Sequence, residues 1–385
     1  MRLLVLCAIA LSSALKIEQK PMQPKERYKN ESAIKQRGAI FTPHLMARRL
    51  SIEMLDAYRG EMPSQISVLD PAVGDGVLLA SFVEEVKSRH PTTKIKVMGF
   101  DINVVSCENA RRNLQSKFKD IEIEIRNEDF LAQIEQFSDK YDFVIANPPY
   151  IRTQILGSRL AQEMAAKYGL AGRVDIYYSF LVNTGNVLQK NGIAGYITSN
   201  KFLSIKSGSP VRKFMLENYE ILSLTDYGDT KVFENAAVLP CTIVFRQGCT
   251  TNCASVKFVS VYEAKDDGSA KRSQDIYEHL GDEGLFKLPD DRVFSFRRGV
   301  LGDVVPGGVW SLSSEETRDW LDKVEAHTWL HFSDLGKIRV GIKTTADNVF
   351  IGENWGVSDE QPELLKSLVT HRDAGKITSS TNCNW

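Results

Sequence analysis

The chain has 385 residues, 43% of them hydrophobic and 25% charged, with a formal net charge of −1. This is ordinary globular material, long enough for two domains. The near-zero balance excludes a whole-molecule basic field, so any nucleic-acid partner must be held by local basic patches.

Met1-Arg2 opens an apolar stretch over residues 3–15, broken only by Ser12-Ser13. It is similar to a secretory signal peptide and too short to span a membrane in the usual way. Three readings of it stand side by side: a targeting leader, an organelle address included, a misassigned start, or a short hydrophobic helix on the core. Residues 16–36 are polar and lysine-rich and read as a lead-in. From residue 37 to about 248, short apolar runs alternate with amphipathic stretches, the pattern of a parallel sheet covered by helices. It predicts strands at 66–69, 95–100, 121–125, 143–146, 192–198, 221–225 and 241–245. Helices are predicted at 44–58, 76–88, 104–118, 175–188 and 211–219. Beyond residue 248 the alternation changes: a strand at 256–262, a polar irregular stretch at 266–297 and a helix at 315–326. Residues 249–385 therefore read as a second domain, expected to be incomplete because the chain stops at Asn384-Trp385. The six cysteines form no disulfide framework, and Cys249 with Cys253 lacks the companion pair a zinc site needs, so no metal is expected.

Four loops follow consecutive predicted strands. Asp70-Pro71-Ala72-Val73-Gly74-Asp75-Gly76 comes first and opens a helix. Its glycines let backbone pass close to a ligand, and the helix start offers unpaired N–H groups. No lysine follows, as a P-loop would need, and the third glycine of a dinucleotide fingerprint is missing. The second strand ends Gly99-Phe100-Asp101, where a carboxylate is suited to the two hydroxyls of a ribose. The third is followed by Asn127-Glu128-Asp129-Phe130, in which an Asp can accept from an amino group and a Phe can cover a ring, although Phe130 fits a core position equally well. After the apolar run Phe143-Val144-Ile145-Ala146 comes Asn147-Pro148-Pro149-Tyr150. The two prolines stiffen the corner and lack N–H groups. What remains is an amide side chain, carbonyl oxygens and one aromatic ring, a set suited to gripping a planar amino group while a ring stacks on the attached base. Open α/β sheets bind ligands at these carboxyl ends.

This ordered set resembles the S-adenosylmethionine-dependent amino-methyltransferases, most closely the TaqI-like, gamma-group adenine-N6 DNA methyltransferases. The resemblance spans roughly residues 34–246 and includes Arg37-Gly38-Ala39-Ile40-Phe41-Thr42-Pro43 ahead of the glycine loop. It implies a Rossmann-like α/β sheet with helices on both faces over residues 37–248, followed by a smaller, truncated recognition domain over 249–385. It implies that Thr42, Asp70, Ala72, Gly74, Asp101, Ile102, Asp129, Phe130 and Pro149 hold S-adenosylmethionine. It further implies that Asn147 and the Pro148 carbonyl grip the amine of an adenine swung out of duplex DNA, with Tyr150 stacked on the base. The family's second base-covering aromatic has no clear counterpart: Phe202 is the candidate, and Ser207-Gly208-Ser209 stands where the ring would more naturally fall.

Weaker similarities follow, in Asp226-Tyr227-Gly228, Val232-Phe233, the stretch 340–351 and His371-Arg372-Asp373. Phosphate contacts are expected from clusters such as Arg48-Arg49, Arg152, Lys167, Arg173 and the basic residues between 201 and 213. The expected partner is double-stranded DNA, bound by a monomer located with DNA inside the cell, with a separate restriction endonuclease compatible and a fused one ahead of residue 37 not expected. Methylation of a glutamine amide or of an RNA adenine by the same loop is the rival reading, and a catalytically silent nucleic-acid-binding relic is another.

Overall fold

The computed structural model describes residues 42–134, 140–151, 175–230, 239–248, 256–301 and 306–336, with the single positions 137, 162, 166 and 169. The hydrophobic leader, Arg37 to Phe41, Val232-Phe233, the Cys249/Cys253 pair, the stretch 340–351 and His371-Arg372-Asp373 lie outside these residues, as do Arg152, Lys167 and Arg173.

Helix α1 (His44–Ala57) leads into strand β1 (Gln65–Asp70), and α2 (Val77–Arg89), β2 (Lys94–Phe100), α3 (Val104–Lys117) and β3 (Glu122–Arg126) follow in strict alternation. The short α4 (Phe130–Gln133) and β4 (Tyr141–Ala146) come next, then α5 (Tyr177–Asn183), β5 (Leu188–Ser199), α6 (Ser209–Asn218), β6 (Tyr219–Asp226) and β7 (Pro240–Gln247). Beyond these lie β8 (Lys257–Ala264), β9 (Lys271–Arg272), β10 (Gly284–Lys287), β11 (Val293–Val300), α7 (Glu315–His327) and α8 (Phe332–Leu335).

Among the described residues, eleven strands join one sheet in the order β3-β2-β1-β4-β5-β7-β6-β8-β11-β10-β9. Strands β3, β2, β1, β4 and β5 run parallel, whereas β7 is antiparallel to both β5 and β6. Strand β8 pairs in parallel with β6, and β11 then runs antiparallel to β8 and β10. The expected Rossmann-like α/β sheet with helices on both faces is therefore present. The reading of 266–297 as irregular was too bland. It holds β9, β10 and most of β11, because Phe294 and Phe296 bury on one face while charged flanking residues masked that alternation in sequence. The helix expected over 175–188 is also shorter, closing in a single 3-10 turn at Thr184–Asn186 before β5 begins.

Period-two alternation sends successive side chains of the central strands to opposite faces. In β4, Phe143 and Ile145 enter a core shared with α1, α2 and α3, while Val144 and Ala146 enter a second core shared with α5 and α6. Strand β1 divides likewise, with Val68 on the first side and Leu69 on the second. Because both faces are covered there, β4 carries the unbroken apolar run Phe143-Val144-Ile145-Ala146. Among the described residues, no helix is long and apolar enough to cross a membrane.

Phe143 is fully buried, with ring centroids 5.4 Å from Tyr58 and 4.9 Å from Phe82. Phe143→Ala is expected to cost about 3–5 kcal/mol, read as a lower urea midpoint at unchanged m-value.

Candidate active site at the carboxyl ends of β1 and β4

Strand order reverses between β1 and β4: from β1 the chain builds outward to β2 and β3, then returns to add β4 on the other side. The register places Leu69 opposite Val144, so the loops leaving both strands emerge side by side. Such a switch point leaves a crevice outside the strand ends.

The loop after β1 is built from main-chain bonds. Asp70 Oδ1 accepts the Ala72 N–H at 2.9 Å, and the Val73 N–H donates to Phe100 O at 2.8 Å, docking the loop onto the end of β2. The Gly74 N–H donates to Asp101 Oδ2 at 3.0 Å. Gly74 and Gly76 have φ of +51° and +80°, a region that side chains rarely adopt. A Cβ on Gly74 would meet no atom within 4 Å, so open space lies beside that backbone. Gly76 caps α2 with no side-chain hydrogen bond, leaving the first-turn amides of the helix to other partners. Sequence reasoning missed a brace from α3: Asn109 Nδ2 donates to Asp75 Oδ1 at 3.3 Å and Asn113 Nδ2 to Asp75 O at 3.0 Å.

Asp70 is fully buried, and its Oδ2 has no hydrogen-bond partner among the described residues. Burial pushes its carboxyl up to about 8, and the neighbouring Asp101 charge adds to this against the stabilising Ala72 amide. Asp101 accepts from the Gly74 and Asn103 amides, at 3.0 and 2.8 Å, one on each oxygen. A carboxylate has roughly four lone-pair positions, so two remain for a ligand. Ile102 beside it is 76% exposed, unusual for a bare isoleucine. Asn127 Nδ2 holds the Asp101 carbonyl at 2.9 Å. Exposed Asp129 caps α4 through Leu131 N, whereas Phe130 is only 2% exposed and packs among Phe100, Phe137 and Phe180. The orphaned Asp70 oxygen, the open space at Gly74 and the available Asp101 lone pairs fit a polar, cationic cofactor of S-adenosylmethionine's kind.

Asn147 leaves β4 half-buried, with Pro148 buried behind it. Asn147 Nδ2 donates to Thr42 Oγ1 at 2.9 Å, and Tyr150 Oη donates to Asn147 Oδ1 at 2.8 Å. The structure thus brings Thr42, Asn147 and Tyr150 into direct contact. Tyr150 meets Tyr177 edge-on at 5.9 Å, and Tyr177 in turn packs on Tyr178 at 4.6 Å. Burial holds the Tyr150 phenol well above its ordinary value, so it stays a hydrogen-bond donor. The adjacent Tyr177-Tyr178 pair was a signal in sequence, but nothing there said that it would support Tyr150.

Phe202 is placed differently from the expectation. It is fully buried, edge-on to Trp310 at 5.8 Å, so its ring offers no face to a base in this structure. The cause is Arg212, itself 2% exposed and missed in sequence. Its guanidinium donates to Phe202 O at 2.5 Å, Ile205 O and Gly307 O at 3.0 Å each, and to Gly308 O. This draws the loop after β5 tightly inward. A Cβ at Gly208 would collide with the Phe202 carbonyl, so no aromatic fits there either. Of the basic clusters, Arg48 pairs with Glu85 at 2.8 Å and Arg49 with Glu53 at 3.0 Å, while Lys201 and Lys206 are exposed.

Gly208→Ala is expected to cost about 1–3 kcal/mol through this overlap, measured by chemical denaturation. Asp70 titrates near 8 when folded but near ~3.9 when unfolded. Between these values the folded state holds the extra proton, so this group's stabilisation is complete at low pH and is lost as pH rises through the folded value. Asp70→Asn should therefore raise Tm relative to the parent at about pH 7, with the gain vanishing near about pH 4, in thermal melts across that range.

Comparison with known proteins gives consistent matches. The Eco57I restriction-modification methylase family matches residues 46–233. The type II methyltransferase M.BanIII of Aneurinibacillus aneurinilyticus is 32% identical over 381 residues, covering 90% of this chain and 64% of its own. The type II methyltransferase M.BstVI of Geobacillus stearothermophilus is 27% identical, covering 88% of this chain and 64% of its own. The chain thus spans somewhat less than two thirds of the length of these relatives. Among solved structures, the type IIG restriction endonuclease BpuSI superposes with a TM-score of 0.49 at 18% identity, covering 70% of this chain and 32% of that one. Residues 46–233, the stretch that carries both the glycine loop and the Asn147 corner, are thus similar to the Eco57I restriction-modification methylases.

Proposed function

We propose that this protein is a DNA methyltransferase that moves a methyl group from S-adenosylmethionine to the N6 amino nitrogen of an adenine extruded from duplex DNA. The observation that carries this reading is the Asn147 amide, held at the β4 terminus beside the open loop after β1. The names of the type II methyltransferase relatives support the polymer, and the Asn-Pro-Pro-Tyr set supports an amino nitrogen as acceptor.

In this reading Asp70, Ala72 and Gly74 line the methionine part of the cofactor, with Thr42 at its carboxylate. Asp101 accepts from the ribose hydroxyls, Ile102 lies against the adenine, and Asp129, Phe130 and Pro149 complete the enclosure. The exposure of Ile102 and of Asp129 suits these roles. Buried Phe130 supports the floor beneath them. Bound S-adenosylmethionine supplies an electrophilic methyl on a positively charged sulfur.

An adenine amino nitrogen is a weak nucleophile because its lone pair is delocalised into the ring. Asn147 Oδ1 and the Pro148 carbonyl, each accepting one N–H, favour a pyramidal nitrogen and localise that lone pair. The stiff double-proline corner holds both acceptors in place without reorganisation, which is where such sites obtain their rate. Tyr150 offers its ring to the extruded base, whose unstacking costs a few kcal/mol. Residues 37–248 form the methyltransferase part, and 249–385 belong to target recognition.

The test is transfer of tritium from labelled cofactor, offered in parallel to unmethylated DNA, structured RNA and a glutamine-containing release factor, with nucleoside analysis of the product. N6-methyladenine in DNA is the expected result; label only in RNA or protein would replace the reading. Asn147→Ala should lower turnover by about 10²–10³-fold while leaving cofactor affinity by calorimetry unchanged. Parallel loss of both would remove Asn147 from its assigned role.

A further inference from the structure

We propose that Thr42 is a positioning residue for the Asn147 amide, acting with the Tyr150 hydroxyl as a two-sided clamp that keeps Oδ1 turned toward the target amine. This rests on the function proposed above and adds to it a division of labour within the site.

An asparagine side chain has two ends of nearly equal shape and opposite chemistry: Oδ1 only accepts and Nδ2 only donates. Turned over, Asn147 would present N–H groups to an amine that is itself a donor, and the grip would become a repulsion. The orientation therefore has to be enforced. The structure supplies an enforcer at each end, Thr42 Oγ1 at 2.9 Å from Nδ2 and Tyr150 Oη at 2.8 Å from Oδ1.

A single hydroxyl would not suffice, since it can accept or donate. The phenol breaks the symmetry: its O–H is a better donor than its oxygen is an acceptor, and buried surroundings keep it neutral. An amide oxygen carries two lone pairs, so accepting from the phenol does not use up its capacity to accept. Thr42 lies 105 residues earlier in the chain and directly precedes Pro43, the cap of α1. That helix is anchored through fully buried Met46, Ala47, Leu50 and Met54. One jaw of the clamp thus stands on a rigid helix and the other on the corner itself.

The test combines single variants of the full chain with one double variant. In single-turnover tritium transfer to unmethylated phage DNA at saturating cofactor, Thr42→Val should slow transfer about tenfold, the worth of one hydrogen bond, and Thr42→Ser should recover most of it. Tyr150→Phe, which keeps the ring, should slow transfer to a similar degree. Asn147→Asp puts two equivalent oxygens at this position and has no wrong end. In that background Thr42→Val should cause no further slowing. Equal slowing by Thr42→Val in both backgrounds, or none in either, overturns the clamp. A readout independent of activity comes from protein labelled with 15N-asparagine. There the Asn147 side-chain amide, identified by its loss in Asn147→Ala, should exchange with solvent about tenfold faster in Thr42→Val; unchanged exchange refutes the clamp even if no DNA is methylated. Absence of transfer by the parent protein, with faster exchange in Thr42→Val, would instead sink the proposed function and leave the contact standing.

Discussion

The parallel pairing of β1 with β4 is the constraint on which the site depends. It sets Leu69 level with Val144, and three residues beyond each lie Ala72 and Asn147, the inner edges of two loops with different work to do. A one-residue slip in register would turn the strand faces over, since side chains alternate with a period of two. Register is protected here by unusually well-separated cores. Phe143 and Ile145 fit only beneath α1 and α2, and Val144 and Ala146 only against the opposite layer.

On that frame the two acidic residues play unequal parts. Asp101 is half-exposed and saturates two main-chain amides, so it serves first as the rivet between the glycine loop and the end of β2. Asp70 is sealed, one oxygen satisfied and one not. Burial makes Asp70 hold its proton well above the usual carboxylate range. A cation arriving beside the loop would reverse that preference, which makes the orphaned oxygen a natural place for favourable charge rather than a defect of folding.

Much of the sheet was legible because the inner parallel strands are largely buried on both faces and end in short polar loops, so strand, loop and helix follow one another within about thirty residues. The Asp70, Asp101 and Asn147 loops could be placed for the same reason. What escaped were contacts made across long sequence separations. Nothing near Thr42 announces Asn147, and nothing near Phe202 announces that Arg212 will pull its carbonyl inward and Trp310 will cover its ring. Strands β10 and β11 were missed because acidic and basic neighbours diluted a short apolar alternation.

Arg212 carries an implication for chimeric proteins. A sealed guanidinium with four carbonyl acceptors borrows two of them, at Gly307 and Gly308, from sequence almost a hundred residues downstream. Trp310 adds a main-chain bond to Leu203 O at 2.8 Å. Exchanging the downstream region between relatives at a junction near residue 250 would strip that cation of half its acceptors. A junction placed after Trp310 would carry the whole knot across intact.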